Sequence, residues 1–361
     1  MKKSNAAKIP IFILVNDIHI NKQNGELVKE VFNQVINIAV ERVIDNIIIG
    51  GDVFTNRSGQ PLDCLSTFQD IIDNAKEKGI TIYVIPGNHD KTDPDDYRSY
   101  IDVYKGNNML RIMRQGSCAI IGGCPVAFVP YFGDEKWLEE YRRAADIVDE
   151  QYIDQDVEPN VPNFLITHIA FDGVRNNDGS EVLSESITPK LVDFHTKVFV
   201  GHYHNASKLG KNVYYTGALY QGNFGENSED KGCTIVYDNG DHEFVKLKFP
   251  RYIKHVIDVN DSETLRNLLE KYDGETYDHI RFVIQGKRSD ASKVDLNEIS
   301  SKGIQCQYES VEEREAIDSS VDTDALNYDK RSITKDFVKF CSENGIKGKH
   351  MKYGMNLIKN I

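Results

Sequence analysis

The first 90 residues alternate between short apolar runs and longer amphipathic segments. The apolar runs predict buried strands at residues 11–15, 47–49 and 81–85. Between them, apolar residues recur at helical spacing over residues 26–45 and 62–78, which predicts two helices. Fully apolar strands that alternate with amphipathic helices are typical of a sheet covered by helices on both faces.

The following part of the chain contains shorter apolar runs that are less often separated by helical patterns. Strands are predicted there at residues 119–121, 126–129, 164–167, 198–200, 213–216, 234–237 and 243–247. We therefore expect a second sheet that packs on the first.

Near residue 250 the pattern changes again. Residues 251–308 are predicted to form a strand, a helix, a strand, a helix or loop, and a strand, which suits a small α+β domain. An acidic linker follows at residues 309–330, and residues 331–361 are basic with interspersed apolar positions. We expect a main domain over residues 1–250, the small domain, the linker, and a C-terminal segment that docks onto a partner.

The 361-residue chain is acidic, with 43 Lys and Arg against 56 Asp and Glu and a net charge of −13. This excludes a general coat of basic charge for nucleic acid, so any DNA contact must come from local basic patches or bound cations. A membrane partner is not expected, since no apolar stretch approaches the ~20 residues of a membrane span. The six cysteines form no CxxC pair, so we expect reduced thiols and a cytoplasmic protein.

Side chains that commonly bind metals follow five of the predicted strands at their carboxyl ends. They are Asp17 and His19 after the first strand, Asp52 after the second, Asn88, His89 and Asp90 after the third, and His168, His202 and His204 after two later strands. In α/β sheets, ligands bind in the crevice beyond the carboxyl ends of the strands. The pattern therefore predicts one site at this edge.

The types of side chain restrict the metal. Carboxylate, amide and neutral imidazole groups suit Mn, Fe, Zn or Mg, and the absence of cysteine from the cluster argues against a structural zinc site. Seven candidate ligands exceed the needs of one ion. Two ions ~3.5–4 Å apart, bridged by one carboxylate, would use all seven and would clamp a phosphate diester.

The motifs Asp17-Ile18-His19, Gly51-Asp52, Gly87-Asn88-His89-Asp90, His168 and Gly201-His202-Tyr203-His204 resemble, in this order, those of the calcineurin-like metallophosphoesterases. Within that superfamily the chain is most similar to SbcD-type DNA repair nucleases, including the nuclease subunit of the recombination complexes of large phages. The finer similarity lies in Thr167-His168, Phe171-Asp172-Gly173, the segments 214–221 and 223–224, and Lys231-Gly232. It covers residues 10–250 well, whereas the small domain matches in position and pattern only.

The resemblance implies an α/β fold, namely a two-sheet metallophosphoesterase sandwich flanked by helices, with a small α+β capping domain and a C-terminal tail. It also implies a DNA nuclease that uses two divalent metal ions. Mn²⁺ is the expected metal, and Mg²⁺ would also suit the ligands. The implied partners are DNA, an SbcC-type coiled-coil ATPase subunit and a second copy of the chain. For a phage protein the compartment would be the host cytoplasm.

The resemblance also implies a role for each site residue. One ion would be held by Asp17, His19, Asp52 and His204, and the other by Asp52, Asn88, His168 and His202. His89 matches the catalytic histidine, which is not a metal ligand, and could protonate the leaving oxygen. Asp90 could orient His89, as carboxylates do for functional histidines.

The sequence departs from the family pattern in two places. Asn21 stands where the family normally has glycine after the Asp-x-His motif, and Thr55 stands where it usually has Asp or His. The second position supports the catalytic histidine in some relatives, so the balance of exonuclease and endonuclease activity stays open.

Two other functions stay open from the residues alone. One is a phosphatase or cyclic-nucleotide phosphodiesterase on the same fold, and the other is a non-catalytic scaffold of the complex. Protein phosphatases usually show Gly-Asn-His-Glu and Asp-Arg-Gly, whereas this chain has Asp90 and Thr55-Asn56-Arg57.

Some aromatic residues have two interpretations. Tyr214, Tyr215, Tyr220 and Phe224 could stack on DNA bases or pack beneath the site. The remaining histidines lack neighbouring metal-binding residues, so surface or packing positions are expected for His195, His242, His255, His279 and His350.

Overall fold

A computed structural model describes residues 8–153, 157–158, 160–175, 187–226, 231–272 and 277–310, together with Phe337, Val338 and Cys341. The acidic linker and the C-terminal docking segment predicted from the sequence lie almost entirely outside these residues. The chain divides into two compact units, one with Met1–Ile257, Glu263–Val283 and Leu296–Gln307 and another with the remainder. The candidate site described below belongs to the first unit, and the predicted domain boundaries stay a prediction.

The first sheet contains six strands in the order β12-β11-β1-β2-β3-β4. They are β1 (Pro10–Val15), β2 (Asn46–Ile49), β3 (Thr81–Val84), β4 (Leu110–Ile112), β11 (Gly232–Tyr237) and β12 (His242–Lys246). Strands β1 to β4 pair in parallel, while β11 is antiparallel to both β1 and β12. The crossover helices α1 (Gly25–Arg42) and α2 (Leu62–Glu77) bury their apolar faces against this sheet.

The second sheet also contains six strands, in the order β5-β6-β7-β8-β10-β9. They are β5 (Ser117–Ile121), β6 (Cys124–Val129), β7 (Phe164–His168), β8 (Lys197–Gly201), β9 (Ser207–Leu209) and β10 (Val213–Tyr215). Strands β6, β7, β8 and β10 are parallel. Helix α3 (Asp134–Ile153) covers the sheet through Trp137, whose indole N–H donates to Thr167 Oγ1 at 2.9 Å.

A central apolar layer joins the two sheets. It includes Phe12 of β1, Ile48 of β2, and Phe128, Phe164 and Phe199 of the second sheet, all fully buried. The other face of each sheet packs against helices, α1 and α2 on one side and α3 on the other. The expected two-sheet sandwich flanked by helices is therefore confirmed.

The assignment of the last two strands to the second sheet was wrong. Strands β11 and β12 join the first sheet instead, where β11 pairs with β1 and is buried along its whole length. This return of the chain removes the exposed edge that β1 would otherwise have.

The sequence analysis also missed helix α3 and the short strands β4 and β9. The apolar signal of α3 was present, because Trp137, Tyr141, Ala144 and Val148 recur at helical spacing and are buried. Charged residues fill most of the other positions of this helix.

A third sheet has the order β13-β14-β15. It consists of β13 (Tyr252–Asp258), β14 (His279–Gly286) and β15 (Gln305–Ser310), with α4 (Ser262–Lys271) and α5 (Leu296–Ser301) in the intervening chain. This is the strand and helix order that the sequence predicted. In the part of the chain that the structure describes, no helix combines the length and apolar composition needed to cross a membrane.

His195 lies buried at the amino end of β8, in contact with the rings of Tyr141 and Phe194. Within the described residues, neither of its ring nitrogens has a hydrogen-bond partner. Burial lowers the pKa of His195 to about 3. In the unfolded chain the pKa of a histidine is about 6.5, so at pH values between the two pKa values the unfolded chain binds a proton that the folded protein does not. Lowering the pH through this range therefore destabilises the folded state.

We therefore expect a His195→Phe variant to lose part of the acid sensitivity of the protein. Between pH 7.5 and pH 5, the free energy of unfolding of the wild type should fall by about 2 kcal/mol more than that of the variant. Urea unfolding followed by circular dichroism at the two pH values measures this difference. Equal pH dependence of the free energy of unfolding in both proteins would show that His195 does not contribute to the acid sensitivity.

Candidate metal centre

Five parallel strands end at one edge of the sandwich, and the predicted ligands lie in the loops that follow. The structure brings together all seven predicted ligands and His89, which come from the carboxyl ends of β1, β2, β3, β7 and β8. Ligand atoms of Asp17, His19 and His204 lie within 4.8 Å of one another, and so do those of Asp17, Asp52 and His168. Separate strand ends therefore form a single polar cluster.

Asp52 lies between two groups of imidazoles. Its Oδ2 is 3.4 Å from His168 Nε2 and 3.7 Å from His19 Nε2. On one side, His19 Nε2 and His204 Nε2 face each other at 3.0 Å. This position is the one that a bridging carboxylate would need.

Asn88 occupies the other side of the cluster. Its side-chain amide lies 3.0 Å from both His168 Nε2 and His202 Nδ1. The opposite nitrogen of His168, Nδ1, contacts the backbone carbonyl of Gly50 at 2.9 Å, which holds Nε2 towards the cluster. The assignment of four ligands to each ion stays a prediction.

The backbone of the cluster is strained. Positive φ is rare for residues other than glycine and costs of order 1–3 kcal/mol where it occurs. Among the described residues, four predicted ligands adopt it: Asp17 (52°), His19 (51°), Asp52 (52°) and His202 (91°). Such strain is typical of functional sites, where the surrounding fold holds side chains in one arrangement.

Two glycines allow the loops to approach one another. Gly51 has a φ of +104°, and a Cβ there would lie 2.3 Å from His168 Nδ1. Gly87 has no positive φ, but a Cβ there would lie 2.2 Å from Asp52 Oδ1. Larger residues at these positions would therefore displace predicted ligands.

Burial and mutual charge set the protonation of the cluster. Burial raises the pKa of the Asp17 carboxyl. For Asp52, the effect of burial is outweighed by the charge and hydrogen bond of His168, and its pKa lies well below the usual range. Burial lowers the pKa of His168, but Asp52 raises it more, to about 9. Burial lowers the pKa of His19 to about 4 and that of His202 to about 3.

The donor set fits divalent cations. Asp17 and Asp52 are both buried, and among the described residues neither forms an ion pair with lysine or arginine. His19 and His202 are neutral at physiological pH and so offer imidazole lone pairs. Two buried carboxylates without a lysine or arginine partner, next to imidazoles that can offer nitrogen lone pairs, match the chemistry of a bound metal.

Asp90 contacts backbone groups of two loops of the site. Its two carboxylate oxygens accept the backbone N–H groups of Val53, Phe54 and Gly87 at 3.2, 3.0 and 2.9 Å, so it joins two site loops. Burial and the charge of Asp52 raise the pKa of Asp90 to about 7, although the three backbone hydrogen bonds act in the opposite direction. Within the described residues Asp90 and His89 share no hydrogen bond, and the orienting role expected for Asp90 stays a prediction.

The backbone carbonyl of Thr55 orients His89. His89 Nδ1 lies 2.5 Å from this oxygen, and Thr55 Oγ1 donates to the carbonyl of His19 at 2.8 Å. This contact uses the main chain of Thr55, so it could not be predicted from the type of residue at this position. His89 N–H also donates to Asp52 Oδ1 at 2.8 Å.

Sequence reasoning missed Arg57 as a site residue. Its Nη2 lies 3.1 Å from His89 Nε2 and also adjoins the side-chain amide of Asn88. Because a guanidinium only donates and a carbonyl only accepts, His89 carries its proton on Nδ1 and accepts at Nε2. Tyr131 was missed too, and its ring stacks on His202 at 6.1 Å.

Glu226 is a third residue that the sequence did not indicate. Its Oε1 lies 2.9 Å from His204 Nδ1, and its Oε2 accepts the N–H of Gly222 at 3.2 Å. The hydrogen bond with His204, its charge, and Lys231 lower the pKa of Glu226 despite burial. A carboxylate behind a ligating histidine fixes its tautomer and raises its basicity.

A cavity of about 590 Å³ opens beside the cluster. Asp17, His19 and His204 line it together with Tyr252 and His279. The sequence placed His279 among surface or packing residues. Its place in this cavity was not foreseen, because it lies more than 70 residues after the last ligand motif.

The packing interpretation holds for Tyr215 and Tyr220. Both rings are buried, and their hydroxyls donate to the carbonyls of Ile169 and Ile18, each at 3.0 Å. Tyr214 is half-buried and packs against His242.

Comparison with known proteins gives the family. The family profile described as calcineurin-like phosphoesterase matches residues 11–206, which is more than half of the chain. The chain belongs to the calcineurin-like phosphoesterase family. The predicted membership of the calcineurin-like metallophosphoesterases is therefore confirmed, whereas the finer resemblance to SbcD-type nucleases stays a prediction.

Individual relatives of this phosphoesterase are distant. The predicted phosphoesterase 244L of Invertebrate iridescent virus 6 is 25% identical over 256 residues, covering 70% of this chain and 84% of the viral protein. The DNA double-strand break repair protein Mre11 of Sulfurisphaera tokodaii is 22% identical over 303 residues, covering 76% of this chain and 73% of that protein. Mre11 of Saccharolobus solfataricus is 26% identical over 123 residues, which is 32% of each chain.

A Glu226→Gln variant tests whether Glu226 stabilises His204 as a metal ligand. The amide keeps the size of the side chain but removes the charge that stabilises the imidazole N–H, so we expect Mn²⁺ affinity to fall by about 10- to 100-fold. Isothermal titration of metal-free protein with MnCl₂ measures the affinity. Glu41→Gln, on the exposed face of α1, is the matched control. Equal affinity of both variants would show that Glu226 does not act through His204.

Proposed function

We propose that this phosphoesterase is a manganese-dependent nuclease that hydrolyses phosphodiester bonds in DNA. The observation that carries the proposal is the single cluster of two carboxylates, one amide and four imidazoles beside His89. Similarity to two proteins named for DNA double-strand break repair supports DNA as the substrate. Oxygen and imidazole donors without thiolates suit Mn, Fe, Zn or Mg, and we propose Mn²⁺ because the family resemblance implies it.

Two divalent ions would be held by the seven predicted ligands, with Asp52 between them. When bound, they supply positive charge for the phosphate and lower the pKa of an attacking water. They would also offset the acidity of the chain locally, which lets a protein with a net charge of −13 approach DNA.

His89 and Arg57 would act on the phosphate side of the cluster. The Thr55 carbonyl holds His89 Nδ1–H, so Nε2 is the nitrogen that can carry a proton to a leaving oxygen. Arg57 contacts this Nε2 in the structure. A phosphate that drew the guanidinium to its own oxygens would free Nε2 for that proton, and Arg57 would then stabilise developing negative charge.

A His89→Asn variant tests the nuclease. Wild type and variant are incubated with end-labelled linear duplex DNA, plasmid circles and p-nitrophenyl phosphate, first in MnCl₂ and then in MgCl₂. We expect Mn²⁺-dependent DNA cleavage that falls by about 100-fold or more in the variant, because proton transfer to the leaving oxygen is lost.

Other outcomes assign other functions. Turnover of the monoester without DNA cleavage would indicate a phosphatase. No activity on any substrate, alone or with an ATPase subunit, would indicate a scaffold. Retained Mn²⁺ affinity in the His89→Asn variant shows that the loss of cleavage does not result from metal loss.

We further propose that the protein works as a homodimer with an SbcC-type coiled-coil ATPase, in the cytoplasm of the cell that contains it. The support is the family resemblance and the basic, partly apolar sequence of residues 331–361, which suits docking of an amphipathic segment. Deletion of residues 331–361 should abolish co-purification with that ATPase while leaving Mn²⁺ binding intact. Undiminished co-purification would contradict the docking role.

A further inference from the structure

The lining of the cavity beside the metal centre combines two chemically different groups of residues. Near the cluster it is lined by carboxylates and imidazoles, including Asp17, His89 and Glu226. The same cavity is also lined by Tyr252 and His279, which lie on strands β13 and β14. Its volume of about 590 Å³ falls within the ~300–1,000 Å³ typical of small-ligand pockets. One nucleotide would fit such a space, whereas a DNA duplex would not.

The aromatic residues of this lining form a stack. The rings of Tyr252 and His279 are stacked, with centroids 4.3 Å apart and an interplanar angle of 26°. Phe224 packs edge-on against Tyr252 at 5.0 Å, and the guanidinium of Arg281 lies 3.9 Å from the Phe224 ring centroid. Gln305 holds Arg281 through two hydrogen bonds of 2.7 and 3.1 Å.

Main-chain hydrogen bonds fix the position of Tyr252. Its N–H donates to Gln221 Oε1 at 2.8 Å, and Gln221 Nε2 donates back to the Tyr252 carbonyl at 3.1 Å. Gln221 is buried, so this reciprocal pair is shielded from water. A ring held in place before a ligand arrives loses little entropy on binding.

The lining of the cavity is unsuited to phosphate recognition away from the metal centre. Among the described residues, no lysine or arginine lines it. Asn21 and Gln23 offer neutral amides instead, and neither the Asn21 side-chain nitrogen nor the Gln23 side chain has a hydrogen-bond partner within the described part of the chain. Amides and aromatic rings are the groups that bind a nucleobase, by edge hydrogen bonds and by stacking.

We propose that Tyr252 and His279 form a nucleobase subsite, which binds the base of the nucleotide whose phosphate lies at the metal centre. This inference rests on the proposed phosphodiester hydrolysis and specifies which form of the substrate the site accepts. The nucleotide enters unstacked, as at a frayed or single-stranded end, because a cavity of about 590 Å³ has room for one nucleotide and not for a duplex. Asn21, which replaces the glycine of the family motif, contributes an amide to this subsite.

Two phosphodiesters that release the same product test the subsite. Thymidine 5′-(p-nitrophenyl phosphate) carries a base, whereas methyl p-nitrophenyl phosphate does not, and both release p-nitrophenolate. The measured quantity is the ratio of their kcat/KM values in MnCl₂. We expect Tyr252→Ala to lower this ratio by about tenfold, since stacking on an aromatic ring contributes that much or more.

Further variants separate stacking from misfolding. Tyr252→Phe retains the ring and should keep the ratio of the wild type. His279 is exposed, so His279→Ala leaves folding intact and should lower the ratio in the same direction. An unchanged ratio in both Tyr252→Ala and His279→Ala would overturn the subsite and leave phosphodiester hydrolysis standing. If the wild type hydrolyses neither diester, the proposed function fails instead.

A binding measurement tests the subsite independently of hydrolysis. A short single-stranded oligonucleotide with a terminal 2-aminopurine is titrated with the His89→Asn protein in MnCl₂, and stacking is detected as fluorescence quenching. We expect Tyr252→Ala in this background to weaken binding by about tenfold and to reduce the quenching. Equal quenching and equal Kd with and without Tyr252→Ala would overturn the proposal.

Discussion

The buried carboxylate of Asp52 is the group on which the rest of the site depends. One oxygen accepts the backbone N–H of His89, and the other lies within 3.7 Å of both His19 and His168. A single charge therefore connects loops that follow β1, β2, β3 and β7. Since an unpaired buried charge is costly, the stability of this arrangement requires positive charge in the cluster, from a proton on His168 or from metal ions.

This constraint explains why the surrounding backbone is strained and closely packed. Four predicted ligands have positive φ, and Gly87 leaves no room for a side chain beside Asp52. The strain is tolerated because the strands that carry the loops are buried on both faces between the central apolar layer and the helices. The sandwich thus serves as a rigid support for groups that would separate in a flexible chain.

Local sequence patterns were sufficient to predict most helices and strands, because residues at periodically buried positions are apolar and those at exposed positions are polar. The strands before Asp17, Asp52 and Asn88 were predicted within one residue or two at each end. The error with β11 has a physical cause: a buried strand looks the same whichever sheet it joins, and its pairing with β1 links residues more than 200 positions apart. For α3, the many charged residues on its exposed surface obscured the helical spacing of its four buried apolar residues.

The sequence by itself determined the family and the identity of the candidate ligands, because metal-binding side chains at strand ends must appear in a particular order along the chain. Only the tertiary structure decided how each ligand is supported. Thr55 acts through its backbone carbonyl, which no residue type encodes, and Asp90 bonds to backbone N–H groups rather than to His89. Glu226 and His279 reach the cavity from segments that carry no motif, because folding brings distant side chains together without leaving a local pattern.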